Sequence, residues 1–64
     1  MSVRMHYDSE TDAAYLRFST DAVSESAEVS PGVVLDFGAD GKLVAMEVLQ
    51  ATQRLPKDVL IAAE

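Results

Sequence analysis

The sequence predicts an α+β fold, a four- to five-stranded antiparallel β-meander closed by a short C-terminal helix. Three observations carry that prediction. Two runs near the N-terminus alternate apolar and polar residues on either side of the polar stretch Asp8 to Asp12, the period-two pattern of half-buried strands. Two strongly apolar runs then flank Asp40-Gly41, the best short-range hairpin signal there is. Finally, Pro56 precedes a tail with apolar residues at Val59, Leu60 and Ala63, and proline suits the first position of a helix.

The first strand runs over about residues 3–7 and the second over about 13–19. Pairing Asp8 with Ala13 sets Met5 opposite Leu16 and Val3 opposite Phe18, which keeps the apolar face whole. A one-residue slip would set Val3 against Arg17, and slips are costly wherever one face is buried. The chosen register places Arg4 opposite Arg17, unfavourable unless acids lie nearby. A third strand carrying Glu25 or Glu28 is expected to supply them. That strand covers about 25–29 and ends before Pro31, which cannot donate to a ladder.

The fourth and fifth strands cover about 33–37 and 42–49. A two-residue turn at Asp40-Gly41 pairs Phe37 with Val44, Leu35 with Met46 and Val33 with Val48, and a four-residue loop shifts this by one pair. Either way Val33, Leu35, Phe37, Val44, Met46 and Val48 share one side. The opposite side of the fifth strand is also apolar, with Leu43, Ala45 and Leu49. Burial on both faces marks a central strand, and the second face then needs a cover. The helix expected over about 56–63 is too short to stand alone. It either covers that second face or crosses to a neighbouring chain.

The chain has 64 residues, room for a single domain over 1–64. A domain this small buries only about 60% of its unfolded surface and ordinarily needs a staple. With no cysteine and one histidine, disulfides, thiolate zinc sites and histidine clusters are excluded. Association is the remaining way to bury more apolar surface, and 48% hydrophobic content is ample for it, so a homodimer is expected. A net charge of −6 with five scattered basic residues argues against direct nucleic-acid binding. No apolar leader follows Met1, and no apolar run approaches the ~20 residues of a membrane span. A cytoplasmic location without membrane association is the expectation.

Few residues ask for chemistry. Asp8, Glu10 and Asp12 are spaced like the first half of a calcium loop, yet Ala13 and Ser19 stand where such a loop needs glycine and a bidentate acid. A polar turn whose carboxylates accept backbone N–H groups explains them better. Asp36 and Glu47 lie on one face of the second hairpin, not directly across from each other. They are expected to accept hydrogen bonds from a loop or the tail, or to meet Arg17 or Arg54 at an interface. Tyr15 and Arg17 share a face of the second strand, beside His6 and Arg4. No serine stands in a nucleophile elbow, and no catalytic, cofactor or metal site is expected.

The fragments Tyr7-Asp8, Asp12 to Phe18, Val33 to Phe37 and Asp40 to Ala51 together resemble the small prokaryotic domain-of-unknown-function family 2283. That family reads roughly Y-D-x-x-x-D-x-x-Y-[IL]-x-[FL], then an apolar strand ending D-[YF], then D-x-x-G or D-G, and G-[IL]-E-[IL]-L-[DE]-A. Ala45 departs from its preferred glycine and Gln50 from its preferred acid. The resemblance implies this fold and no established activity. Genes of this kind often sit beside small toxin-like genes, which implies an antitoxin-like role. The expected function is therefore a non-enzymatic protein-interaction module, with Asp36, Glu47, Tyr15 and Arg17 as its candidate positions. The alternative is a small cation-binding protein or enzyme that uses Asp36, Glu47 and Asp8 or Asp12.

Overall fold

In the computed structural model, which describes residues 3–61, five antiparallel strands form one open sheet. They are β1 (Arg4–Asp8), β2 (Ala13–Arg17), β3 (Glu25–Ser30), β4 (Val33–Phe37) and β5 (Leu43–Leu49). Two short helices follow, α1 (Ala51–Arg54) and α2 (Lys57–Ile61). The α+β class and all five strands agree with the sequence-based expectation to within a residue or two at each end. The last residues of the expected 56–63 helix lie outside the described residues.

The first hairpin has the expected register, with Met5 opposite Leu16, Asp8 opposite Ala13 and Arg4 opposite Arg17. In the second, Leu35 faces Met46 and Val33 faces Val48. The expected pairing of Phe37 with Val44 is corrected, because a bulge after Asp36 shifts Phe37 onto Leu43. The turn between them closes with the Gly38 amide donating to the Lys42 carbonyl at 2.9 Å. Gly41 sits at φ +79°, where a side chain would be strained.

The strand order is β1-β2-β5-β4-β3, so the strand that is apolar on both faces occupies the centre of the sheet. The β3–β4–β5 meander joins the first hairpin through β2–β5 pairing, which sets Leu16 against Met46 and Tyr15 against Glu47. One expectation is thereby corrected. β3 lies at the far edge, so Glu25 and Glu28 cannot serve the Arg4–Arg17 pair, and the acid brought closest by pairing is Glu47 on β5. Sheet topology outranks sequence proximity here, because β5 buries more apolar surface beside β2 than the wholly exposed β3 would.

The C-terminal segment corrects a second expectation. Leu55 and Leu60 pack on the cluster formed by Ala14, Val48 and Ala51, on the same face as Met46 and Leu16. The helices therefore reinforce the apolar face and leave the face of Ala45 and Leu49 uncovered, while the bulge turns Leu43 to the side of Phe37. Their cover is partial. Among the described residues the buried hydrophobic side chains are those of Ala14, Val44, Ala45, Val48 and Ala51, and three of these five are alanines. Leu16, Leu35, Phe37 and Met46 all stay half-exposed.

Candidate functional site

The uncovered face is polar, and strand register arranges it in rows. One row runs His6, Tyr15, Glu47, Val34, Glu28 from β1 to β3. Its neighbour runs Arg4, Arg17, Ala45, Asp36, Ser26. All four candidate positions, Tyr15, Arg17, Asp36 and Glu47, thus meet on one face around Ala45. The sequence placed them on two separate hairpins, and only the β2–β5 pairing unites them. Ala45 is 0% exposed although no helix covers it, since longer side chains on both flanking strands crowd it.

Arg17, Tyr15, Asp36 and Ser26 on this face are held by hydrogen bonds. The Arg17 guanidinium donates through Nε to the Ser19 carbonyl at 2.7 Å and through Nη2 to the Asp21 carbonyl at 2.7 Å. Its Nη1 donates to the Tyr15 hydroxyl at 3.1 Å. Arg17 therefore pins the loop that leaves β2. Asp36 accepts from the Ser26 hydroxyl at 2.6 Å, so within the chain its partner comes from β3 and not from the expected loop or tail. The face has cations towards β1 and β2 and carboxylates towards β3, β4 and β5.

The most connected polar group lies elsewhere. Asp12, half-buried in the β1–β2 turn with φ +54°, accepts at Oδ1 from the Tyr7 hydroxyl at 2.7 Å and from the Thr52 amide at 3.1 Å. Its Oδ2 accepts from the Thr52 hydroxyl at 2.7 Å, and its own carbonyl accepts from the Ala51 amide at 2.9 Å. Gln50, the residue before α1, is in a left-handed conformation and makes no side-chain cap. The carboxylate of Asp12 does that work from 40 residues away, satisfying an orphan N–H of the first helical turn. The Thr52 hydroxyl and the Tyr7 hydroxyl hold the Asp12 carboxyl below the usual carboxylate range. The same hydrogen bond raises Tyr7 above the usual phenol range.

Asp8 accepts from the Glu10 amide at 3.0 Å, as a turn-closing aspartate does. The acidic first turn is thus built as a polar turn with a helix cap. Among the described residues no group of three or more His, Asp or Glu side chains converges to hold a metal ion. Sequence reasoning missed Thr52 and the helix α1 that carries it. The signal available was the Tyr7…Asp12 spacing, which looks decorative until the distant amide it serves is known. Beside α1 an open groove of about 280 Å³ is lined by Pro31, Gly32, Leu49, Gln50 and Arg54.

The fold and its polar face define a single-sheet α+β domain with a tethered C-terminal helical layer. The chain belongs to the family of proteins of unknown function DUF2283, whose model matches residues 4–51. That span holds every strand and the tether's Tyr7 and Asp12, and ends one residue before Thr52. No curated protein and no solved structure matches the chain. Among the described residues no helix is long and apolar enough to cross a membrane.

Proposed function

We propose that this protein is a non-enzymatic interaction module of the cytoplasm, one that self-associates and meets a protein partner. The observation that supports it is the thin core. Five buried hydrophobic side chains among the described residues, three of them alanine, leave a sheet whose apolar side is only partly covered. A sheet must bury its apolar face against a second layer, and a chain this small gains that burial by association. The net charge of −6 suits a basic partner, and a small basic toxin-like protein, with this chain as its antitoxin-like counterpart, fits that charge.

Light scattering at micromolar concentration, together with co-purification of the product of the neighbouring gene, tests the proposal. A dimer mass and a stoichiometric co-purifying protein are expected. A monomer that melts in one cooperative transition and brings down no partner would overturn it.

A further inference from the structure

The self-association proposed above leaves open which surface is used, and the two edges of the sheet differ in a way that bears on it. β3 is guarded. It carries Glu25 and Glu28, its ladder shifts register between Glu28 and Ser30, and Pro31 follows closely. Charges, bulges and proline are the means by which an edge strand is kept from pairing. β1, at the opposite edge, has no such break, since all five residues from Arg4 to Asp8 pair with β2 in unbroken register. We infer that β1 pairs antiparallel with β1 of a second copy, centred on His6, so that one sheet runs through both chains.

The strand is complementary to itself in that register. Arg4 lies opposite Asp8 of the second copy, Met5 opposite Tyr7, and His6 opposite His6. Arg4, His6 and Asp8 are exposed while Met5 and Tyr7 are half-buried, so polar meets polar and apolar meets apolar. Opposite charges meet twice. On its inner side Arg4 faces Arg17, and like charges directly opposite are destabilising. Asp8 of the second copy supplies the acid on the outer side. That carboxylate takes the Glu10 amide at Oδ1 at 3.0 Å, which leaves Oδ2 to accept from the arginine. A one-residue shift would set an apolar side chain against a polar one at every place. A two-residue shift keeps the faces but pairs only three of the five strand residues.

Symmetry favours the same arrangement. Two identical strands paired antiparallel have their two-fold axis along the sheet normal, so the contact closes as a dimer. Both helical layers then stand on one side of the shared sheet. Met5 and Tyr7 pack against the Ala14, Val48 and Ala51 cluster together with Leu55 and Leu60, so two thin cores become continuous across the junction. Parallel pairing of the same strands would turn the two apolar faces to opposite sides and join nothing.

The arrangement rests on the self-association proposed above, and the experiment separates the two. The chain has no cysteine, so His6→Cys sets one thiol on each side of the axis. Directly opposed residues sit about 4.5–5.5 Å apart at Cα, within reach of a disulfide. Mild oxidation of His6→Cys is expected to give a covalent dimer, and that of Ala27→Cys on the exposed β3 edge to give none. Arg4→Glu and Asp8→Lys chains are each expected to dimerise about tenfold more weakly by light scattering, because each sets like charges opposite one another twice. Mixed in equal amounts, they should regain the original affinity, since both pairs in the mixed dimer are again opposite in sign. A dimer that fails either the cross-linking or the mixing would overturn this seating and leave self-association standing. A monomer would overturn both.

Discussion

Asp12 and Thr52 are joined twice, once through the Thr52 hydroxyl at 2.7 Å and once through its amide at 3.1 Å. This pair fastens the turn of the first hairpin to the start of the helical layer, and Tyr7 completes the tether from β1. A four-residue helix such as α1 has no stability of its own. Its position therefore depends on the tether and on Ala51, Leu55 and Leu60 beneath it.

Thr52→Val keeps the shape of the side chain and removes the hydroxyl donor. It is expected to lower the melting temperature by about 4 °C and to speed amide exchange at Ala51 and Thr52 while leaving the strands protected. Asp12→Asn retains tolerance of the left-handed backbone but loses the charge. It should give a comparable loss, measured in the same exchange experiment.

The tether also sets a pH response. Because Asp12 is held below its ordinary carboxylate value, its contribution is full above that ordinary value. It disappears as pH falls through the lower, folded value. Tyr7 is raised, so its contribution is full below the ordinary phenol value and is lost as pH rises through the folded one. Thermal melts across pH should fall at both extremes, and Asp12→Asn should flatten the acid limb.

Val48, 3% exposed at the meeting of β2, β5 and the helices, is one of the few well-buried side chains. Val48→Ala removes two methyl groups' worth of burial and leaves a small cavity, costing about 2 kcal/mol. Urea denaturation would measure it, with an unchanged slope expected.

Two glycines with positive φ should respond alike to alanine. At Gly41, φ +79°, an added Cβ meets nothing within 4 Å, so only backbone strain of about 1 kcal/mol applies. At Gly32, φ +83°, the same Cβ would lie 3.4 Å from the Arg54 guanidinium and 3.5 Å from Leu49. Those are ordinary van der Waals distances, so Gly32→Ala is expected to cost about as much as Gly41→Ala in parallel denaturation curves, through backbone strain alone.

The alternative of a cation site in the first turn has its own test. Asp12 already accepts three hydrogen bonds at its carboxylate. Calcium, magnesium and manganese are therefore expected to leave the melting temperature unchanged, since a ligand bound to the folded state must raise it.

The sequence by itself determined the five strands and the two hairpins of this protein. Alternation specified β1 and β2 and their register, because a one-residue slip would turn Leu16 and Phe18 to the wrong face. Asp40-Gly41 specified the second hairpin, and apolar residues on both sides of β5 specified a central strand. What the tertiary structure alone decided is every relation between distant segments. No local pattern says that β2 pairs with β5 and not with β3, so the meeting of Tyr15 and Arg17 with Asp36 and Glu47 was out of reach. The helices' choice of face was hidden too, because Leu55 and Leu60 gain burial wherever an apolar surface is offered. Asp12 is the plainest instance: its donors lie 5 and 40 residues away. Hydrogen-bond partners separated by that much chain are chosen by how the sheet and helices pack, not by spacing in the sequence.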